Sequence, residues 1–261
     1  DTGTVTITVT PVNDAPTIAV PVAQTTNEDT AKTIPAITVD DVEAGMLAVT
    51  LAVTQGKLTL GSVTGLTFSG GANGDASFTI TGSKADVNAA LATISYAPDS
   101  NVNGSDTLTA TVSDLGATGT GGVKTASDTV GITITAVNDP AAITVTAADT
   151  AVTEDDAGDN TASGTVTVSD VDSGEGSLAS STAAFGTVTV NGDNWTYSLT
   201  DSNSTVQALD AGQTLTDTII FTSDDNTTAT QAITITGEND EPVLSVITPP
   251  NAVVELPDAS A

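Results

Sequence analysis

Histidine, cysteine and arginine are all missing from this chain of 261 residues, and only four lysines stand against 33 aspartates and glutamates. Without imidazole or thiol there is no base, nucleophile or soft ligand set for Ser-His-Asp, thiol or zinc-hydrolase chemistry. Without cysteine there are no disulfides, which domains of more than a hundred residues do not need even outside the cell. Lys32, Lys57, Lys84 and Lys124 are scattered and make no phosphate cradle, and the glycine-rich stretch 116–122 lacks the lysine of a P-loop. The net charge of −29 repels the phosphates of nucleic acid and the surface of an anionic membrane, so neither is an expected partner. No apolar run approaches membrane-spanning length, so no direct membrane insertion is expected. Aromatics are scarce: Phe68, Phe78, Tyr96, Phe185, Trp195, Tyr197 and Phe221. Acidic pairs abound, but a glycosidase would need an aromatic-lined cleft that these residues do not supply. Trp195 lies in TrpThrTyrSerLeu, a strand pattern, and reads as a core anchor, with sugar stacking as the alternative. The chain is not expected to be an enzyme.

What is present is strand. Segments 4–10, 143–146, 164–168 and 187–190 alternate Val or Ile with Thr, which puts the apolar side chains inward and the threonines on the solvent face. Gly, Asn, Asp and Ser clusters separate these runs, as in all-β sandwiches. A hydrophobic content of 38% with this periodicity argues against disorder. One short helix is expected over 83–91, where Ser83 and Asp86 have capping-box spacing.

The strongest organising signal is a recurrence. A Thr/Ile/Val strand runs into Asn13–Asp14, again into Asn138–Asp139 and again into Asn239–Asp240, at intervals of 125 and 101 residues. The chain is therefore expected to hold a domain over 13–138 and a second over 139–239. Residues 1–12 read as the last strand of a preceding repeat and 240–261 as the start of a following one. The sandwiches are expected to be of Greek-key type and to run end to end. Seven strands can be laid out for the first domain: A near 17–22, B near 32–39, C near 46–54, D near 57–68, E near 76–81, F near 107–113 and G near 128–136. The B–C and F–G loops then mark the end where the chain enters a domain, and the A–B and E–F loops the end where it leaves.

On that scheme the carboxylates fall into register. Glu28 follows Asp14 by 14 residues, Glu154 follows Asp139 by 15 and Glu255 follows Asp240 by 15. Asp41 and Glu43 match Asp170 and Asp172, each pair just after strand B, and Asp114 matches the acids at 224–225, just after strand F. The complete joint would draw Glu28, Asp99 and Asp106 from the first domain, Asn138 and Asp139 from the linker, and Asp170, Asp172 and Asp225 from the second. Asn13, Asp14, Asp41, Glu43 and Asp114 would serve the joint before it, and Glu154, Asn239 and Asp240 the one after. Asp, Asn and Gly are also ordinary turn residues, so no single pair marks a metal site. The recurrence in register does point to one, because so much like charge would otherwise drive the domains apart. A set made only of oxygen donors suits Ca²⁺, with six to eight ligands, better than Mg²⁺, which retains its waters, or Zn²⁺, which prefers His and Cys.

This pattern resembles cadherin repeats, in which calcium is held between domains by an A–B glutamate, an acidic E–F loop, an AsnAsp linker and B–C and F–G aspartates. It is similar in more detail to the cadherin-like and VCBS-type repeats of giant bacterial surface adhesins, including RTX adhesins. The carriers are 65–71, 86–98 and 103–114 in the first domain and 170–175, 185–199 and 215–225 in the second. The linkers lack the leading acid and second Asn of the cadherin linker, and the RTX nonapeptide is absent from 1–261. The resemblance implies an immunoglobulin/cadherin-like, calcium-rigidified extender segment of an extracellular, cell-surface (bacterial) adhesin, partnered by neighbouring repeats of its own chain. Two alternatives stay open. One is a subunit of a filament or surface layer, assembled with identical subunits by strand addition through 1–12; the other is a glycan- or protein-binding module.

Overall fold

The computed structural model describes residues 2–116 and 119–240. It divides at Asn138/Asp139 into two compact units. Glu255, and the start of a further repeat expected after Asp240, lie outside the described residues.

The second unit is the simpler. Its strands are β12 (Ala142–Ala147), β13 (Ala151–Thr153), β14 (Thr161–Ser169), β15 (Leu178–Thr182), β16 (Gly186–Asn191), β17 (Asn194–Leu199), β18 (Thr214–Ser223) and β19 (Thr228–Thr236). Among the described residues they form two four-stranded sheets, ordered β12-β14-β17-β16 and β13-β19-β18-β15. The alternation read from the sequence is realised. Trp195, Tyr197 and Leu199 from one sheet meet Ile219, Phe221, Ile233 and Ile235 from the other in a single core. Trp195 is fully buried, tilted against Phe221 at 6.1 Å, with its indole N–H donating to the Thr146 carbonyl at 3.2 Å. It is the expected core anchor and offers no face to a sugar.

The first unit is the same sandwich with an insertion. Its elements are β1 (Thr17–Ala19), β2 (Gln24–Asn27), β3 (Lys32–Thr33), β4 (Thr38–Asp40), β5 (Met46–Ala52), β6 (Gly56–Leu60), β7 (Thr67–Gly70), β8 (Ser77–Ser83), α1 (Lys84–Leu91), β9 (Ile94–Pro98), β10 (Gly104–Ser113) and β11 (Thr125–Thr135). Sheets β3-β9-β6 and β1-β4 face the larger sheet β2-β11-β10-β5-β8-β7. The hairpin β16–β17, with Val188 opposite Tyr197, turns through Gly192 and Asp193. Its counterpart pairs β6 with β9, Leu58 opposite Tyr96, and residues 61–93 are inserted between them. The strand expected as E near 76–81 is therefore β8, an added strand beside β5, and the true counterpart of E is β9. The run 77–83 alternates as well as any real E strand, so periodicity alone could not tell them apart.

α1 forms where Ser83 caps it: the Ser83 hydroxyl accepts the Asp86 N–H at 3.1 Å and donates to the Asp86 carboxylate at 2.6 Å. Val87, Ala90 and Leu91 are buried in the core, so the helix is packing structure as expected. No described helix is long and apolar enough to cross a membrane. Residues 2–10 join none of these sheets, and Val5, Ile7 and Val9 are 84%, 82% and 83% exposed.

Candidate metal centres

Each unit presents its acids in two groups, and the local hydrogen bonds repeat from unit to unit. At the exit end a short strand, β2 or β13, runs parallel to the last strand, β11 or β19. That pairing carries a glutamate to the end of the sheet. Glu28 N–H donates to the Thr135 carbonyl at 3.0 Å, and Glu154 N–H to that of Thr236 at 2.9 Å. The next residue, Asp29 or Asp155, turns the chain with φ of 55° or 58°, in the left-handed region that Asp tolerates better than most. The Glu28 carboxylate then accepts the Val137 N–H at 2.7 Å, and the Glu154 carboxylate that of Glu238. Both glutamates thus grip the residue immediately before an Asn-Asp pair.

Glu154 is fully buried. One of its oxygens also takes the Gln207 amide at 3.1 Å, and the other, Oε2, is buried without a hydrogen-bond partner. Burial first, then the charge of Asp240 and, more weakly, of Asp155 and Asp201, pushes its carboxyl above the ordinary range, against the one Glu238 N–H. Asp201 also has a buried, unpartnered oxygen. Asn239 and Asp240 are exposed at this end, where a polar cleft is lined by Asp210, Glu238 and Asp240 among others.

The entry ends share a second frame. Asp41 caps the turn after β4, its Oδ1 accepting the N–H groups of Glu43 and Ala44 at 2.8 and 2.6 Å; Asp170 does the same after β14 for Asp172 N–H at 2.8 Å. The second acid of each loop takes the N–H of the linker aspartate: Glu43 that of Asp14 at 3.3 Å, Asp172 that of Asp139 at 2.7 Å. The acid after strand F ties the far loop. Asp114 accepts the N–H groups of Gly116 and Lys124 at 2.8 and 2.9 Å and the Asn13 side-chain amide. Asp225 accepts those of Ala141 and Thr227 at 2.9 and 3.0 Å and the hydroxyls of Ser223 and Thr227. For Asp225 the Ser223 hydroxyl and these N–H groups hold the carboxyl far below the usual range, outweighing burial. For Asp114 burial acts upward, and the Lys124 N–H, the Asn13 amide, the Gly116 N–H and the Lys124 charge together bring it below.

Three groups at the entry ends were not singled out from the sequence, nor was Asp201 at the exit end. Glu175 is pushed upward by burial first, then by Asp172, Asp170, Asp225 and Asp224, and its Oε2 is buried without a partner. Lys124 sends its ammonium to the Asn13 carbonyl. Lys84 reaches Asp40 at 2.7 Å and the Asp41 carbonyl at 2.8 Å. The adjacency of Glu175 to the 170–172 pair was the available signal; the reach of the lysines had none.

One expected ligand sits elsewhere than anticipated, and a second lies in the loop that was expected to carry it. Asp106 lies in β10, 4% exposed, not in the E–F loop. Its carboxylate accepts Thr54 N–H and hydroxyl at 3.0 and 2.7 Å, Gln55 N–H at 3.0 Å, Thr107 N–H at 2.7 Å and the Tyr96 hydroxyl at 3.0 Å. Those donors fill its lone pairs, and it is a core anchor. The second unit has the same device. Asp217 accepts Ala184, Phe185 and Thr218 N–H at 3.0, 2.8 and 2.8 Å and the Tyr197 hydroxyl at 2.9 Å. Each stands eight residues before Asp114 or Asp225, a register visible in the sequence. Asp99 is exposed after β9, its N–H bonded to the Gln55 carbonyl at 3.1 Å.

All donors at these ends are oxygens, the chemistry of a hard cation. Among the described residues no group of three or more acidic side chains is already closed around a common point as a metal cage. The fit to a cation lies in the buried, unpartnered oxygens: Glu154 Oε2, Glu175 Oε2, Asp170 Oδ2, Asp201 Oδ1, Asp41 Oδ2 and Asn13 Oδ1. Buried polar atoms are ordinarily satisfied.

No protein-family model matches the chain, and no curated protein does. Solved structures show likenesses. Protocadherin Gamma B2 extracellular cadherin domains 1–5 give a TM-score of 0.42 at 14% identity, covering 90% of this chain and 42% of that one. Drosophila N-cadherin EC1–4 gives 0.39 at 12%, covering 87% and 50%. The titin domains Z1Z2, solved in complex with telethonin, give 0.32 at 12%, covering 88% and all of that chain. The chain spans less than half the length of the protocadherin chain. Overlaps at this level add nothing finer than the all-β architecture visible in the chain's own sheets.

Proposed function

We propose that this chain is a calcium-dependent spacer segment of an extracellular, cell-surface adhesin, and that its work is mechanical. The observation that carries the reading is the set of buried carboxylate oxygens left without partners at the ends of the units, Glu154 Oε2 foremost. In the second unit no lysine, arginine or histidine exists to answer them. Ca²⁺ would supply the missing positive charge. Asp170, Asp172, Glu175 and Asp225 would hold it at the entry end of the second unit, with Asp139, whose N–H already meets Asp172. Glu154, Asp201, Asn239 and Asp240 would hold it at the exit end; in the first unit Glu28 and Asp99 are the counterparts. The resemblance to repeats of bacterial surface adhesins supports a stalk that holds a binding domain away from the cell. Extracellular calcium modules work at submillimolar to millimolar affinity, so such sites fill outside a cell and stay empty inside it.

The test is small-angle scattering and thermal melting of the chain in millimolar Ca²⁺ and in excess chelator. Calcium is expected to give a longer, stiffer particle. Each site adds about 1.4 kcal/mol at roughly tenfold and about 2.7 kcal/mol at roughly a hundredfold excess over its Kd. Identical scattering and melting in the two conditions would end the reading.

A second reading, an assembly subunit, is favoured by one observation: the exposed alternating row Val5, Ile7 and Val9 is suited to completing another sheet.

A further inference from the structure

The two entry ends share a frame but differ in the charges set within it. In the first unit Lys124 closes the frame from within. Its N–H and carbonyl bond Asp114, at 2.9 Å to the carboxylate and 3.2 Å from the Asp114 N–H, while its ammonium binds the Asn13 carbonyl. Asn13 is held in turn, its side-chain amide donating to Asp114 and to the Gly122 carbonyl at 2.8 Å. Lys84 adds a second ammonium on Asp40 and the Asp41 carbonyl. In the second unit the loop after β18 runs only over 224–227 and carries no lysine, and no basic residue occurs anywhere after Asp139. The second unit instead adds an acid, Glu175, where the first has Met46 at the same distance from the capping aspartate.

We propose that Lys124 is a tethered cation standing in for a calcium ion, so that the entry end of the first unit closes without metal while that of the second requires it. This rests on the calcium reading for the second unit. A backbone carbonyl is a regular calcium ligand, and an ammonium donating to it occupies the same acceptor with one fixed positive charge. The site is not thereby erased. Asn13 Oδ1 and Asp41 Oδ2 remain without partners on residues 1% and 3% exposed, and removing the ammonium adds the Asn13 carbonyl to the oxygens of this end that lack a donor. Lys124 is thus a specificity-determining residue: it sets how many calcium ions the segment takes.

The experiment counts bound Ca²⁺ per chain by equilibrium dialysis and follows backbone amides by NMR through a calcium titration, on the wild type, Lys124→Met and Lys124→Arg. In the wild type the amides of Asp139, Ala141 and Thr227 are expected to shift, and those of Gly116 and Lys124 to stay fixed to at least tenfold higher calcium. Lys124→Met is expected to bind one more ion per chain, to bring the Gly116 amide into the titration, and to melt lower than the wild type in chelator and recover in calcium. Lys124→Arg, which keeps the charge, should count as the wild type does. Gly116 and Lys124 shifting together with Ala141 in the wild type would overturn the proposal, as would a folded Lys124→Met with no added ion. Should Lys124→Met not fold, the wild-type titration decides alone. An ion gained by Lys124→Met with no response at Ala141 would sustain the role of Lys124 and remove calcium from the second unit; no binding in any form would remove both.

Discussion

Asp106 and Asp217 each receive hydrogen bonds from a neighbouring loop, from their own strand and from a buried tyrosine, joining three stretches of chain at one carboxylate. Charge-assisted bonds of this kind are about twice as strong as neutral ones, and deleting the acceptor orphans several buried donors at once. Asp106→Asn and Asp217→Asn are each expected to cost about 3 kcal/mol or more, read by denaturant unfolding. Burial acts to raise the Asp106 carboxyl, but the Thr54 hydroxyl and the N–H groups of Gln55, Thr54 and Thr107 outweigh it and keep it low. Its folded pKa lies below the unfolded value near 3.8, so its stabilisation is present above that value and is lost as pH falls through the folded one. Asp106→Asn should flatten that part of the acid limb of the stability profile. Glu154 works in the opposite sense, because in the absence of a cation its buried charge faces Asp240, Asp155 and Asp201. Glu154→Gln is therefore expected to raise the melting temperature in chelator and to lower the increment that calcium adds. A variant that melts lower in chelator and keeps the full increment would show Glu154 to be packing alone.

At the scale of elements, hydrophobic alternation wrote the strands, and the loops gathered most of the acids. In β10 the buried positions are Asp106, Leu108, Ala110 and Val112, and in β18 they are Asp217, Ile219, Phe221 and Ser223. A carboxylate thus occupies an apolar phase in both strands, which is why composition in a loop-like AsnGlySerAsp context misplaced Asp106. The insertion 61–93 was legible as strand and helix but not as an insertion, since only the pairing of β6 with β9 shows which strands are neighbours. The unpaired segment 2–10 belongs to this scale as well. Aligned on Asn13 and Asn138, its Val5, Ile7 and Val9 match Val130, Ile132 and Ile134, which are 1%, 2% and 2% exposed in β11. If it completes a sheet of another molecule, sedimentation will show concentration-dependent association that Ile7→Asp abolishes. A chain monomeric at all concentrations would remove the assembly reading.

For the molecule as a whole the governing quantity is the net charge of −29 carried with four lysines, all of them in the first unit. Screening by monovalent salt weakens repulsion between exposed carboxylates beyond about 8 Å at physiological ionic strength, but it leaves buried oxygens unsatisfied. Scattering in chelator with added potassium chloride therefore separates two accounts. Salt that reproduces the calcium-bound profile would make the acids a diffuse solubilising charge. Salt that fails to do so would keep the reading of discrete sites.

By itself the sequence determined the all-β class, the recurring Asn-Asp pairs, the burial of Trp195 and the acids at the loops, because each is a local matter of period, turn chemistry or residue type. Tertiary structure alone decided that Asp106 and Asp217 are core anchors, that β9 and not β8 completes the first sandwich, and that Lys124 closes one entry end while Glu175 charges the other. Those outcomes depend on which backbone N–H, carbonyl or ammonium arrives from a distant stretch of chain to meet a given carboxylate, and no spacing along the sequence carries that information.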